Sequence, residues 1–380
     1  MIDCNCIRNG RLLLGDKIVE NKVLLYTTEI LAIVDEDAID GYKIQESLDA
    51  CGAYISPGFI DLHVHGSGGV DVMDATPQAL EKLSTTLVQT GTTSFLATTM
   101  TMSPQAIDQA LANIQKEAST VTGAIILGIH LEGPFLNASK HGAQDKNYIQ
   151  KADFSLIERY VDEIRMITIA PEEEGAKAFI QFCQEHYPHI LFSIGHSEAT
   201  YEQSIESFSW GVSHATHLFN AMPPYHHRQP GVVGAVFDSD VSCDIIADLI
   251  HTHPSTLALV AKMKKEKLVL ITDAMRAGCM KCGSYDLGGQ KVEVHQGKAL
   301  LEDGTLAGSV LKMNEAIRNI CKHSSLSLVE AVYAASGLPA KLLGIQKGQL
   351  KVGYDADIVL FDEDLSIITT IVAGEIKYRR

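Results

Sequence analysis

Short apolar runs and longer amphipathic segments alternate along the middle of the chain. The runs are Phe59–His65, Thr93–Thr98, Ala124–His130, Met166–Ala170, Ile190–Gly195, Gly211–His217, Cys243–Ala247 and Leu268–Thr272. They are brief, rich in β-branched residues and bounded by turn residues, which predicts strands. Between most of them lie helical segments, among them Pro77–Gln89, Pro104–Ala118, Ala176–His186 and Pro254–Lys265. Three of these carry Pro at or near the first helical position, where its missing N–H costs nothing. Eight strands alternating with helices predict a parallel α/β sheet, and eight is the number that closes a (β/α)8 TIM-like barrel. A doubly wound open sheet is the rival, but no Gly-x-Gly-x-x-Gly follows the first strand.

The two ends have a different texture. Arg11–Leu14, Lys22–Tyr26 and Glu29–Val34 are short strand-like runs, punctuated by Asn9-Gly10 and Asp40-Gly41. Ala356–Phe361 and Ile367–Val372 repeat that texture at the C-terminus, with turns at Gly353 and Gly374. These ends predict one small β-sandwich domain assembled from residues 1–57 and 350–380, around a barrel spanning 58–349.

Composition narrows the class. The 380 residues are 46% hydrophobic and 21% charged, which is globular and long enough to bury a large core without disulfides. Lys+Arg 31 against Asp+Glu 47 gives a net charge of -16. That excludes a general nucleic-acid binder and adhesion to anionic lipid. A small anionic substrate stays compatible, because a pocket can be locally positive. No run of about 18 apolar residues predicts a membrane span. Met1-Ile2-Asp3-Cys4 lacks the look of a signal peptide, and the eight cysteines show no secreted-domain spacing, so free thiols in the cytoplasm are expected. Cys279-x-x-Cys282, two of the eight, is a single pair in a loop and reads as two free thiols.

A barrel places its chemistry at the C-terminal ends of its strands. On the first strand Asp61, His63 and His65 share one face, since side chains alternate, and two imidazoles at that spacing can grip one cation. Taken alone, a His-x-His is short enough to be an ordinary polar pair. Glu132 ends the third strand, where a carboxylate can bridge two metals, although a single Glu is more often a surface acid. His130 shares its face but lies deeper, as a structural residue. His196 and His217 end the fifth and sixth strands, with His214 as a core or supporting histidine. Asp273 ends the eighth, where it can touch a metal and a water. Five strand ends thus carry imidazole or carboxylate and no thiolate. That donor set suits zinc, iron(II), manganese or cobalt in a catalytic site.

At these residues the sequence resembles the amidohydrolase superfamily, and within it the N-acetylglucosamine-6-phosphate deacetylase family. The resemblance rests on Pro57-Gly-Phe-Ile-Asp-Leu-His-Val-His-Gly66, His130-Leu-Glu-Gly-Pro-Phe135, Gly195-His-Ser197, Thr216-His-Leu-Phe-Asn-Ala-Met222, Ile271-Thr-Asp-Ala274, Leu306-Ala-Gly-Ser309 and Lys351–Val359. It implies His63, His65, Glu132, His196 and His217 as metal ligands, with Asp273 beside the metal as catalytic acid/base. Members that lose the His-x-His pair hold one metal. This chain keeps it, which implies two per subunit, zinc or iron foremost. Wider relatives bridge their metals with a modified Lys at the end of strand four, but here that end reads Ile169-Ala-Pro-Glu172, leaving Glu132 as the bridge.

The resemblance also implies substrate contacts at Ala143, Asn220, Ala221, Arg228 and His251, with Leu306, Ala307 and Gly308 nearby. Arg228 and His251 are expected to reach the substrate's phosphate from the partner subunit of a homodimer. One departure stands out in Lys140-His-Gly-Ala-Gln144: Gln144 occupies the place of a His found in many members, so the carbonyl polariser is open between the metal, Gln144 and His141. The expected reaction is hydrolysis of an N-acetylamino sugar phosphate. The alternatives are the galactosamine counterpart, another amidohydrolase acting on a cyclic amide or nucleobase, and a non-catalytic scaffold, which would be expected to lose ligands.

Overall fold

The computed structural model describes residues 2–380. Eight parallel strands form its centre: β1 (Phe59–Val64), β2 (Thr92–Thr98), β3 (Ile125–Glu132), β4 (Ile164–Ile169), β5 (Leu191–Ile194), β6 (Val212–Ala215), β7 (Ser242–Ile246) and β8 (Leu268–Ile271). Each pairs with its sequence neighbour. The ring closes just beyond β8, where Val64 bridges Ala274 in parallel. There Asp273 N–H donates to the His63 carbonyl at 2.8 Å and His65 N–H to the Ala274 carbonyl at 2.9 Å. Asp61 staples the same seam: it accepts the Thr272 hydroxyl at 2.6 Å and the His63 N–H at 3.2 Å. Burial pushes its carboxyl up to about 6, against the pull of the Thr272 hydrogen bond.

The alternation of β1 sorts its side chains as expected. Ile60, Leu62 and Val64 join the main apolar core, while His63 and His65 face the barrel axis. The outer helices begin where the sequence predicts. Thr76 caps Pro77–Leu87 and Ser103 caps Pro104–Glu117, each accepting a backbone N–H of the first turn.

Strands from both termini build two further sheets. Tyr54–Pro57 pairs antiparallel with Ile358–Phe361, which joins the chain ends in a six-stranded sheet. A four-stranded sheet holds Asp3–Arg8 between Val23–Tyr26 and Lys43–Asp49. Ile7, Leu24 and Ile30 of the smaller sheet share one apolar cluster with Ile55, Ile358 and Ile371 of the larger, so the two pack as a sandwich.

One element escaped the sequence reading. After β8 comes a three-stranded antiparallel sheet, β9 (Gly283–Leu287), β10 (Gln290–His295) and β11 (Lys298–Leu300). The alternation in Gln290-Lys-Val-Glu-Val-His295 is its local signal: Val292 and Val294 are buried and their neighbours are not. With Leu287 and Ala299 these valines pack on Met100, Met275 and Ala307, which sets the sheet beside the barrel mouth. Among the described residues no helix is long and apolar enough to cross a membrane, and all eight cysteines are free, Cys279 and Cys282 included.

Candidate active site

Strand ends position every predicted metal-type residue. His63 and His65 come from β1 and its edge, and Glu132 is the last residue of β3. His196, His217 and Asp273 each lie two residues past their strands, with φ of +48°, +32° and +48°. Left-handed backbone at a non-glycine residue is uncommon and clusters at functional sites. Here it swings three side chains out of the strand direction and toward one point.

That point is Glu132. Its Oε1 lies 3.1 Å from Nε2 of His196 and 3.1 Å from Nε2 of His217. His63 Nε2 is 3.4 Å from Oε1, and His65 Nε2 is 3.2 Å from Oε2. The rings also crowd one another, with Nε2 separations of 3.2 Å for His63 and His65 and 3.1 Å for His196 and His217. Asp273 Oδ1 stands 3.3 Å from His65 Nε2 and 3.5 Å from His63 Nε2. Two overlapping donor groups result, His63–His65–Glu132 and Glu132–His196–His217, with Glu132 in both.

These donors fit divalent metal. Metal–nitrogen and metal–oxygen bonds of about 2.0–2.1 Å in a tetrahedron give donor separations of roughly 3.3 Å. The His196 tautomer also fits: its Nδ1 faces the Lys140 carbonyl at 2.9 Å, so Nδ1 carries the hydrogen and the Nε2 lone pair faces inward. Without a cation, charge moves between the groups. Burial pushes Glu132 up, but His63, His196 and His217 outweigh it and hold the carboxyl well below its ordinary value. Asp273 is lowered too, the pull of His63 and His65 exceeding its burial. Burial pulls His217 down, yet Glu132 lifts it to about 9.

Gln144 joins this cluster and His141 does not. The Thr101 N–H donates to Gln144 Oε1 at 2.7 Å, and an N–H can only donate, which fixes the amide orientation. Nε2 then donates to Glu132 Oε2 at 2.7 Å. His141 turns its Nδ1 to the Gln144 carbonyl at 3.1 Å and does not line the cavity.

The cavity over the cluster measures about 200 Å³ and is lined by Ala143, Asn220, Ala221, His251, Leu306 and Gly308 among others. Met100, Leu287 and Thr305 line it too and were missed, having no chemical signal in the sequence. The other predicted contacts fall in three different places. Ala307 packs away from the cavity, into the apolar cluster of the β9–β11 sheet. His251, expected to act in the partner subunit's site, lines its own chain's cavity, where the turn after β7 folds back over the mouth. Arg228 is exposed on a loop outside the cavity, its Nη1 2.7 Å from His227 Nε2.

Deeper in the barrel, His214 Nε2 lies 3.0 Å from Asp244 Oδ2. Asp244 Oδ1 accepts the N–H of His217, steadying that residue's strained backbone. The supporting role expected of His214 therefore runs through Asp244, which the sequence reading did not single out.

Known proteins share this architecture. The model of the Amidohydrolase family matches residues 54–377. An N-acetylglucosamine-6-phosphate deacetylase of Bacillus subtilis is 44% identical, the match covering 85% of this chain and 84% of that one. One from Lysinibacillus sphaericus is 42% identical over 87% of each chain. The crystal structure of the Pasteurella multocida N-acetylglucosamine-6-phosphate deacetylase superposes with a TM-score of 0.93 at 30% identity, covering 99% of this chain and 100% of that one.

Proposed function

The chain belongs to the amidohydrolase family, and from that premise we propose that it hydrolyses N-acetylglucosamine 6-phosphate to glucosamine 6-phosphate and acetate. The observation that carries this reading is Glu132, shared by two histidine pairs at the floor of a cavity rimmed by Asn220, Ala221 and His251. The family is metal-dependent. Two divalent ions per subunit, zinc or iron, with manganese or cobalt also suiting the donors, would be held by His63, His65, Glu132, His196, His217 and Asp273. When bound, a divalent metal there acidifies a water and polarises a carbonyl.

The chain's own residues do the rest. Asp273 takes a proton as the water oxygen attacks the acetyl carbon. The C–N bond breaks, and Asp273 returns that proton to the amine nitrogen, otherwise a poor leaving group. Gln144, with its amide oriented by Thr101, holds Glu132, and its second N–H would be available to the acetyl oxygen. Asn220, the 306–308 segment and the loop through Ala143 enclose the sugar. Arg228, outside its own cavity, serves the phosphate of the partner subunit in a homodimer. Residues 58–349 carry the reaction, and 1–57 with 350–380 form the supporting sandwich. The enzyme works in the cytoplasm.

A mass-spectrometric screen of metal-loaded protein against both N-acetylhexosamine 6-phosphates tests the reading. The expected result is acetate release with preference for the gluco sugar. Preference for the galacto sugar would reassign the substrate. Ammonia released from cyclic amides or nucleobases, with both sugars untouched, would reassign the reaction.

A further inference from the structure

Strand β7 places no donor in the Glu132 cluster, but its continuation, Ala247-Asp248-Leu249-Ile250-His251, turns back over the cavity. Asp248 organises that turn. Its Oδ1 accepts the N–H of Ile250 and of His251, both at 2.8 Å. Its Oδ2 accepts from His251 Nδ1 at 2.7 Å. Leu249 sits at φ +65°, which a bulky residue adopts only when its surroundings impose it, and the two accepted amides do so. Both side chains are nearly buried, at 6% and 7% exposure.

An ionised carboxylate only accepts, so Nδ1 of His251 carries the hydrogen. Nε2 is then the ring atom left for the cavity, and any proton the ring gains must sit there. The surroundings make that atom matter. Among the described residues lining the cavity there is no Lys or Arg, and His251 is the one ionisable group outside the Glu132–Asp273 cluster. An anionic end of a substrate therefore meets a single ionisable side chain of this chain outside that cluster.

We propose that Asp248 is a positioning residue for phosphate specificity, holding His251 in the turn with Nε2 presented to the substrate's charged end. This rests on the sugar-phosphate reading above and adds a residue to it. An unrestrained imidazole would sample other rotamers, and those would carry Nε2 away from a phosphate oxygen.

Steady-state kinetics of the metal-loaded enzyme test it, comparing N-acetylglucosamine 6-phosphate with unphosphorylated N-acetylglucosamine. In Asp248→Asn the side-chain oxygen can still hold the turn amides, but the amide nitrogen then faces Nδ1 and cannot accept from it. KM for the phosphorylated sugar should rise about tenfold, while its kcat and the kcat/KM of the unphosphorylated sugar stay within about twofold. Adding Asp248→Asn to His251→Ala should change nothing further. Should Asp248→Asn fail to fold, Asp248→Ser keeps an acceptor for the turn and drops the imidazole contact, with the same expected split. Equal losses on both sugars, or losses that add to those of His251→Ala, would overturn the role of Asp248 alone. A His251→Ala enzyme that discriminates the two sugars as wild type does would overturn the phosphate assignment and the proposal with it. Wild-type protein that deacetylates neither sugar would instead remove the functional reading on which both rest.

Discussion

Six buried histidines line the barrel axis in two layers, and the layers are bonded in opposite ways. In the lower one, His130 Nε2 meets the Thr168 hydroxyl at 2.7 Å and its Nδ1 the Thr98 hydroxyl at 3.4 Å. His214 meets the Ser242 hydroxyl at 2.7 Å and Asp244 at 3.0 Å. Every ring nitrogen there has a protein partner. In the upper layer the Nε2 atoms of His63, His65, His196 and His217 find only one another, Glu132 and Asp273. The Nδ1 atoms of His63, His65 and His217 are buried without a partner. The lower layer is satisfied by its own partners and is structure, whereas the upper layer turns four Nε2 atoms and Glu132 on one point, an arrangement that a cation between them would satisfy. His130 and Glu132 are two residues apart on one strand, yet they fall on opposite sides of that division.

The division breaks most sharply at Asp273. Asp273→Asn keeps the shape of the upper layer but cannot carry a proton, so kcat should fall by about 10²–10⁴ with folding and substrate binding largely intact. A folded, metal-loaded variant with near-normal kcat would take Asp273 out of the mechanism.

Arg228 belongs to neither layer and checks what lies beyond them. Arg228→Ala should raise KM for the phosphorylated sugar by roughly ten- to a hundredfold, the loss of a contact worth about 1.5–3 kcal/mol, and leave the unphosphorylated sugar little changed. Mixing it with a chain inactive at Asp273 should restore some activity if the contact crosses the dimer. Equal effects on both sugars would place Arg228 outside the phosphate site.

Metal analysis compares the layers directly. Replacing His63 and His65 with Ala should lower metal content from about two ions per chain to about one. His130→Leu, in the lower layer, should cost about 1–3 kcal/mol of stability and leave metal content unchanged. One ion in saturated wild-type protein would defeat the two-metal reading, and metal loss in His130→Leu would defeat the division itself.

The smallest effect concerns pH in metal-stripped protein. His217 is lifted from its ordinary 6.5 to about 9, Glu132 outweighing burial. A raised folded value stabilises fully below the unfolded one, and that stability is lost as pH climbs toward about 9. His65 shifts in the same direction. Tm of the stripped protein should therefore fall by a few degrees across that window, whereas the loaded protein, whose rings must be deprotonated to ligate, should lack this component. Identical pH profiles with and without metal would mean that no such charged pair forms when the metal is gone.

Much of this molecule was legible before any coordinates. The eight barrel strands fall within a few residues of their expected places, and the outer-helix starts match because Thr76 and Ser103 are local caps. The upper-layer residues were legible for the same local reason: strand alternation places His63 and His65 together, and a polar residue ending an apolar run marks a strand end. The β9–β11 sheet was missed although Gln290–His295 alternates clearly, because so short an alternation becomes a strand only where distant residues, here Met100, Met275 and Ala307, cover its apolar face. Asp248 was missed because an acid near a strand end looks the same in sequence whether it faces solvent or orients a histidine, and Asp244 because nothing local marks which histidine a mid-strand acid will meet.

Residue order by itself determined the alternation of strands and helices, the identity of the donors and their placement at the strand ends, since each follows from periodicity over a few residues. Only the tertiary structure decided which donors meet and what each is free to bind. Glu132 became common to two histidine pairs through closure of a ring whose first and last strands are some two hundred residues apart in the chain. Gln144 rather than His141 entered the site because Thr101, from another loop, anchors its amide. His251 joined its own chain's cavity while Arg228 stayed outside, through the direction of two turns. Those choices rest on long-range contacts, whose energies depend on which surfaces the closed barrel brings within hydrogen-bond reach, and a local pattern carries no record of them.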